Sequence, residues 1–241
     1  MEQKKISFKL NSLKKENINV YGSKPVLKDY YKKIYNFLRK KKYMNVIDIG
    51  CANGAFTFFA PKNLNIIGID TDKRLLKSAK KINKRFFNSF YCINLFKKDS
   101  TIAKNFIKRN KSKFDVITMF GTFHLFRNYS SVIKVLSSLK PKVIILTTMI
   151  NDGSEVAILT KNDNSLKWEN FYNFFSKKEI SKEFKKNGYK IEFIDYEMQT
   201  FLKKNKKQFN RNYHLLLKNN KKILVNDIGL FFKEKLVIAK K

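Results

Sequence analysis

Residues 46–54 read Val-Ile-Asp-Ile-Gly-Cys-Ala-Asn-Gly, and this stretch decides the fold. It is a short apolar run containing an acid, followed by a turn that holds Gly50 and Gly54. A second apolar run, residues 65–70, ends in Asp70. Glycine allows a tight turn off a buried strand and lets the backbone approach a ligand closely. The pattern is typical of the start of a nucleotide-binding βαβ unit, in which Asp70 is placed to accept hydrogen bonds from a ribose diol.

Strand and helix patterns alternate on both sides of this stretch. Continuous apolar strands alternating with amphipathic helices predict a parallel sheet that is buried on both faces. The predicted strands are 45–50, 65–70, 90–94, 114–120, 142–148, 189–196 and a last one around 236–239. The predicted helices are 25–42, 54–59, 73–83, 100–109, 129–139 and one from the N-cap Ser176 to Asn187 and Gly188.

Three segments do not follow this alternation. Residues 1–24 are polar and lysine-rich and are predicted to form an arm. Residues 149–175 are predicted to be irregular and rich in aromatic residues, and residues 197–230 to be an insertion with a hairpin at 214–218 and 223–226. We expect a single domain over residues 1–241, in which 25–148 is the cofactor-binding half and the two insertions form the substrate side.

Composition restricts the class of protein. The chain has 241 residues, 43% of them hydrophobic, which is enough for a buried core. Cys51 and Cys92 match no disulfide framework, and no His, Cys, Asp or Glu group has metal-ligand spacing, so no metal is expected. No apolar run is long enough to span a bilayer and no signal core follows the first residues. These features favour a cytoplasmic location.

The net charge of +33 has two interpretations. It suits a polyanionic partner such as RNA. However, the basic residues are mostly lysines spread over every segment, and asparagine is also abundant, which A/T-rich codons would explain. Proteins that read nucleic acid usually cluster arginine with exposed aromatic residues. An RNA partner is therefore a possible but less favoured reading of the charge.

The motifs and their order resemble the class I S-adenosylmethionine-dependent methyltransferases, over roughly residues 25–195 and the closing strand. Residues 48–54 resemble that family's acid-x-Gly-x-Gly-x-Gly loop, with Ala52 in place of the middle glycine. The resemblance implies an α/β, Rossmann-like, doubly wound, seven-stranded and mostly parallel sheet with an antiparallel last strand, plus lid insertions. An NAD-type domain is disfavoured because it requires three glycines at G-x-G-x-x-G spacing.

The resemblance also implies S-adenosylmethionine as the cofactor and assigns roles to single residues. Asp48 would orient the loop and the methionine end of the cofactor, and Asp70 would hold the ribose hydroxyls. Asn94 stands where the family often has an acid for the adenine amino group, and an amide can serve there too. The predicted cofactor-binding residues are Asp48, Gly50, Cys51, Ala52, Asn53, Gly54, Asp70, Thr71, Asn94, Leu95, Phe120 and Gly121.

His124 is the candidate catalytic base. It follows the fourth predicted strand, at the edge where open α/β sheets bind ligands, and histidine is the commonest base for removing a hydroxyl proton. The alternative is a histidine that caps or packs against the next helix. Residues of the two insertions are predicted to contact the acceptor, although a solvated loop and a packed lid are the competing interpretations. These residues are Trp168, Arg211, Tyr213 and His214.

The favoured function is methyl transfer to a small-molecule or glycan-linked acceptor, at oxygen or nitrogen. No Asn-Pro-Pro-Tyr-type loop follows the fourth strand, which argues against methylation of exocyclic amines on adenine or of glutamine, and no Pro-Cys nucleophile is present there, which argues against methylation of cytosine C5. An RNA methyltransferase is the first alternative. A non-catalytic partner protein that binds S-adenosylmethionine is the second, because Ala52 and Asn94 depart from the family pattern.

Overall fold

The computed structural model describes residues 29–84, 89–151, 157–162, 169–195, 213–216, 222–225 and 233–241. The chain forms two compact units, Met1–Asn94 and Leu95–Lys241. The predicted arm, residues 1–24, lies outside the described residues, and the single-domain assignment stays a prediction.

The first unit alternates helices and parallel strands, as predicted. Strand β1 pairs in parallel with β2, and β2 pairs in parallel with β3. Each predicted element is confirmed with its ends shifted by a few residues. The elements are α1 (Asp29–Lys40), β1 (Asn45–Ile49), α2 (Ala55–Phe59), β2 (Asn65–Asp70), α3 (Lys73–Ile82) and β3 (Phe90–Cys92).

The local sequence of helix α3 determines where the helix begins and which of its faces is buried. Asp72 is its N-cap, and its carboxylate accepts hydrogen bonds from the backbone N–H groups of Arg74 and Leu75 at 2.8 and 3.4 Å. Apolar residues then recur at helical spacing, so that Leu76 and Ala79 are buried. The buried stripe therefore lies on one side of the helix, and lysines occupy much of the other.

An aromatic cluster joins α1 to α2. The rings of Tyr31 and Tyr35 lie 5.3 and 5.0 Å from the ring of Phe56. The Tyr35 hydroxyl donates a hydrogen bond to the backbone oxygen of Phe56. Burial raises the pKa of Tyr35, and the nearby charges of Tyr31 and Asp48 add to the effect. The hydroxyl therefore stays protonated and keeps donating to the short helix α2.

The second unit begins with the same alternation and then adds antiparallel strands. Its helices are α4 (Thr101–Asn110), α5 (Tyr129–Ser138) and α6 (Lys177–Lys186), with a 3₁₀ turn at Phe123–Leu125. Its strands are β4 (Val116–Met119), β5 (Val143–Asn151), β6 (Ala157–Asn162), β7 (Glu169–Ser176), β8 (Lys190–Ile194), β9 (Tyr213–Leu216), β10 (Lys222–Val225) and β11 (Lys233–Lys240).

Strand β11 confirms the predicted antiparallel last strand. It pairs antiparallel with β5 along residues 143–150 and antiparallel with β8. On the other edge of β5, residues 143–146 pair in parallel with β4. Beyond the end of β4, residues 149–151 pair in parallel with β7. Since β11 already occupies one edge of β5, β7 must follow β4 on the opposite edge.

The prediction that residues 149–175 are irregular was wrong for the described parts of this segment. Strand β5 continues to Asn151, and β6 pairs antiparallel with β7 over six residue pairs. The prediction failed because Asn173 interrupts the aromatic run 171–175, and asparagine is depleted in strands. Here tertiary partners override that preference: Asn173 is buried and bonded to a neighbouring turn. The hairpin predicted within residues 197–230 is confirmed, since β9 pairs antiparallel with β10.

The ends of α6 follow the predicted capping signals. The Ser176 hydroxyl accepts a hydrogen bond from the N–H of Glu179 at 3.1 Å, which confirms Ser176 as the N-cap. Asn187 is the C-cap, and Gly188 follows it with φ of 81°. Among the helices that the structure describes, none combines the length and apolar character that crossing a membrane requires.

Candidate cofactor and acceptor sites

The glycine loop leaves β1 through alternate residues in the left-handed conformation. The φ angles of Gly50, Ala52 and Gly54 are 72°, 49° and 71°. Alanine rarely adopts such a conformation because its Cβ approaches the following carbonyl oxygen. Ala52 therefore takes the backbone path that a middle glycine would take, at some cost in strain. The loop starts firmly, because the N–H groups of Gly50 and Cys51 both donate to the backbone oxygen of Ile69, at 2.8 and 3.1 Å.

The Asp70 carboxylate holds this loop as well as the end of β2. Its Oδ2 accepts from the N–H of Ala52 at 2.8 Å, and its Oδ1 accepts from the N–H groups of Thr71 and Asp72 at 2.7 and 2.9 Å. A carboxylate offers about four lone-pair positions, so about one remains, on Oδ2. The half-exposed carboxylate can therefore bond one ribose hydroxyl while it also holds the loop. The sequence did not suggest the loop-holding role.

The neighbouring edge residues are open to a ligand. Thr71 and Asn94 are exposed, and Gly50 and Ala52 are half-exposed. Cys92, paired opposite Asp70 in the sheet, donates its thiol to the backbone oxygen of Thr71 at 3.6 Å. The predicted ribose and adenine residues of this unit thus lie along the carboxyl ends of β2 and β3.

The remaining loop residues form the buried support of the site. Cys51 packs in a cluster with Leu76, Ala79 and Phe90. Burial raises the pKa of the Cys51 thiol well above its ordinary value, and the charges of Asp48 and Asp70 add to this. Cys51 is therefore an uncharged packing group.

Asp48 and Asn53 are also buried, at 3% and 6% exposure. The predicted roles of both residues in cofactor binding stay predictions.

In the second unit, the segment after β4 is held by two polar side chains that the sequence reading missed. The N–H of Gly121, which has φ of 67°, donates to Oγ1 of Thr147 at 2.8 Å. The amide nitrogen of Asn173 donates to the backbone oxygens of His124 and Phe126, at 3.3 and 2.6 Å. The turn that carries His124 is therefore fixed from β5 and from β7.

His124 is buried at 6% exposure within this turn. Burial lowers its pKa from 6.5 to about 4, because the charged imidazolium loses its hydration. At neutral pH the imidazole is therefore uncharged, the form in which it accepts a proton. The ring nitrogen Nδ1 is fully buried.

Apolar and aromatic residues surround the same turn. Phe123 packs on Phe175 with ring centres 5.2 Å apart, and Phe96 packs on Phe126 at 4.7 Å. Phe120 is half-exposed and Leu95 is buried. The predicted residues Phe120, Gly121 and His124 thus lie on the segment that follows β4, and Leu95 is buried next to Phe96 in the sequence.

The predicted acceptor residues are described only in part. Trp168 and Arg211 lie outside the described residues. Tyr213 and His214 lie on β9, opposite Val225 and Leu224 of β10. Their roles stay predictions.

A comparison of the sequence with known protein families identifies the family of this chain. A family model described as a methyltransferase domain matches residues 26–192. The chain belongs to this methyltransferase family. The match spans the glycine loop, Asp70 and the His124 turn. No curated protein matches the methyltransferase at a significant level of sequence similarity.

Solved structures resemble the methyltransferase over most of its length. The N-terminal domain of EvdMO1, crystallised in the presence of SAH and D-fucose, has a TM-score of 0.61 at 12% identity, with 100% of this chain and 97% of that chain covered. Magnesium protoporphyrin IX methyltransferase (ChlM) from Synechocystis PCC 6803 with bound SAM has a TM-score of 0.52 at 13% identity, covering 93% and 88%.

The methyltransferase domain of bacterial CtHen1 has a TM-score of 0.53 at 17% identity, covering 87% and 95%. Identities this low show the fold alone. Together the comparisons confirm the predicted Rossmann-like class I α/β fold.

The cofactor of this methyltransferase family is S-adenosylmethionine, and the described residues fit it. The half-exposed Asp70 keeps acceptor capacity for a ribose hydroxyl. The loop at Gly50 and Ala52 presents backbone rather than bulky side chains at the carboxyl edge of β1. The thiol of Cys51 is turned into the core and does not obstruct that surface.

Proposed function

We propose that the methyltransferase transfers a methyl group from S-adenosylmethionine to a small-molecule or glycan-linked acceptor. Asp70 would bond the ribose, the backbone of residues 50–54 would support the methionine and ribose, and Asn94 would meet the adenine. The cofactor supplies an activated methyl group on a sulfonium, so the protein's task is alignment and proton removal.

The docking of β7 on the His124 turn carries this proposal. Asn173 of β7 bonds two backbone oxygens of the turn, and Phe175 of the same strand packs on Phe123 and on Tyr129. Strand β7 belongs to the insertion that was predicted to form the substrate side. An insertion packed against the candidate base supports a compact, aromatic acceptor site of the kind that binds small molecules.

His124 would receive the proton of an acceptor hydroxyl on its imidazole ring. Its low pKa ensures the uncharged form at neutral pH, but it also makes the imidazole a weak base. We therefore expect a moderate contribution, on the order of 10²-fold, at the low end of the usual range for general bases. The EvdMO1 domain crystallised in the presence of D-fucose makes hydroxyl-bearing sugars the first acceptors to test.

The test uses S-adenosylmethionine carrying a labelled methyl group, incubated with the purified protein and a cell extract that is afterwards separated by molecular mass. We expect label in the low-mass or glycan fraction, with the rate about 10²-fold lower for His124→Gln. Label confined to RNA would contradict the acceptor class. No transfer to any fraction would contradict catalysis and favour the non-catalytic alternative.

An RNA acceptor remains a second candidate because of one observation. One face of α6 carries Lys178, Ser181, Lys182, Lys185 and Lys186, of which Lys182 and Lys186 are also paired with Glu179 and Glu183. Such a concentration of lysines suits phosphate groups. Affinity for heterogeneous RNA, measured across salt concentrations, should then fall steeply on a log–log plot, whereas a flat dependence removes this candidate.

A further inference from the structure

Asn83, directly after helix α3, is bonded to two different parts of the first unit. Its side-chain nitrogen donates to the backbone oxygen of Ala79 at 2.9 Å and to the backbone oxygen of Gly54 at 3.4 Å. The first bond closes the end of its own helix. The second reaches the last residue of the glycine loop, 29 positions earlier in the sequence. The residue is buried, at 5% exposure.

The geometry at Gly54 shows how closely the two residues meet. A Cβ added to Gly54 would lie 2.7 Å from the side-chain nitrogen of Asn83 and 3.0 Å from the ring of Phe90. The Gly54 oxygen also accepts from the N–H of Phe58, the bond that starts α2. Asn83 therefore adds a second donor to the carbonyl at which the loop becomes helix.

Helix α3 is consequently tied to the glycine loop at both of its ends. At its beginning, Asp72 and the loop residue Ala52 donate their N–H groups to opposite oxygens of Asp70. At its end, Asn83 bonds Gly54. Between these two points, Cys51 packs on Leu76 and Ala79 of the helix.

We propose that Asn83 is a positioning residue for S-adenosylmethionine binding. It acts through Gly54 rather than by touching the cofactor. Its bond to Gly54 sets the position at which the loop ends and α2 begins. This inference rests on the proposed function, because it assumes that the glycine loop is the cofactor site.

Two other asparagines of the chain supply matched controls. Asn110 donates its side chain to the oxygen of Phe106 at 2.8 Å, and Asn187 donates to the oxygen of Glu183 at 2.9 Å. Each closes its own helix as Asn83 does, four residues back. Both belong to the second unit, and neither is bonded to the glycine loop in the described structure.

The experiment compares Asn83→Ala, Asn110→Ala and Asn187→Ala by S-adenosylmethionine titration and by kinetics on a responsive acceptor. We expect the Asn83 variant to bind about five- to tenfold more weakly, which is the usual range for one lost hydrogen bond. Its KM for the cofactor should rise while its KM for the acceptor stays constant. The two control variants should keep the parent affinity, although each loses the hydrogen bond that closes its own helix.

Equal cofactor affinity for all three variants would overturn the inference while leaving the proposed function intact. Failure of the parent protein to bind S-adenosylmethionine would instead overturn the proposed function. Should Asn83→Ala not fold, hydrogen exchange of the parent protein decides the question. The Asn83 N–H, bonded to Ala79, should exchange more slowly with S-adenosylmethionine present, and the Asn187 N–H should not change. Unchanged exchange at Asn83 overturns the inference.

Discussion

Asp70→Asn keeps the shape of this side chain but removes its charge and its hydrogen bond to the glycine loop. Oδ1 receives two N–H groups, from Thr71 and Asp72, while Oδ2 receives one, from Ala52. The amide oxygen of asparagine will therefore take the Oδ1 position, where it keeps two bonds. The amide nitrogen then takes the Oδ2 position and faces the N–H of Ala52, donor against donor. The substitution thus breaks the hydrogen bond between Asp70 at the end of β2 and Ala52 in the glycine loop.

The magnitude follows from the bond that is lost. A hydrogen bond to a charged group contributes about 1.5–3 kcal/mol when it is buried. Ala52 is half-exposed, so water replaces part of this bond, and we expect a loss of about 1.5 kcal/mol in unfolding free energy. The same position can no longer accept from a ribose hydroxyl. Cofactor affinity should therefore fall about ten- to hundredfold.

Asp72→Asn is the matched control, since it removes the same charge two residues away. The carboxylate of Asp72 caps α3, and asparagine caps helices about as well as aspartate. Urea unfolding and calorimetric titration with S-adenosylmethionine should therefore leave this variant close to the parent, apart from its salt bridge to Arg74. The reasoning is refuted if Asp70→Asn stays within about 0.5 kcal/mol of the parent in stability and about twofold in affinity.

Three further predictions concern single residues. The pKa of His124 is about 4 in the folded protein and 6.5 ordinarily. Between pH 6.5 and pH 4, the histidine is therefore protonated mainly in the unfolded chain. Folding stability should therefore fall as pH drops from about 6.5 to about 4, by about 3 kcal/mol more in the parent than in His124→Gln, measured by urea unfolding; equal pH dependence would contradict this. Ala52→Gly should change the thermal midpoint little, because relief of left-handed strain offsets added unfolded-state entropy, whereas Ala52→Val should lower it by an amount equivalent to about 1–2 kcal/mol. Gly68→Ala should destabilise by about 1–3 kcal/mol, since its Cβ would lie 2.6 Å from Phe90 and 2.9 Å from the sulfur of Cys51; a thermal midpoint like the parent's would show that the core adjusts freely.

The alternating part of the fold could be predicted because each of its elements carries its own local signal. Strands β1, β2 and β5 are mostly apolar runs, and α3 has a periodic apolar stripe after a capping aspartate. These signals need no knowledge of distant contacts. The glycine loop and Asp70 were also recognisable from local sequence, because each directly follows or ends an apolar strand pattern.

The contacts that complete the sites depend on pairs far apart in the chain. Asn173 weakens the strand pattern of its own segment, and only the turn at His124 explains why it is buried. In the sequence, Asn83 resembles an ordinary residue at a helix end, and only the structure shows its bond to Gly54. Asparagine is frequent throughout this chain, so the residue type alone did not distinguish these two positions from the others.

The central claim is that the glycine loop and Asp70 form an S-adenosylmethionine site. Calorimetric titration of the unsubstituted protein with S-adenosylmethionine, and separately with NAD, tests it most directly. We predict micromolar binding of S-adenosylmethionine, about −8 kcal/mol, and NAD binding weaker than about 1 mM. Absence of S-adenosylmethionine binding up to about 1 mM, or tighter binding of NAD, would contradict the claim.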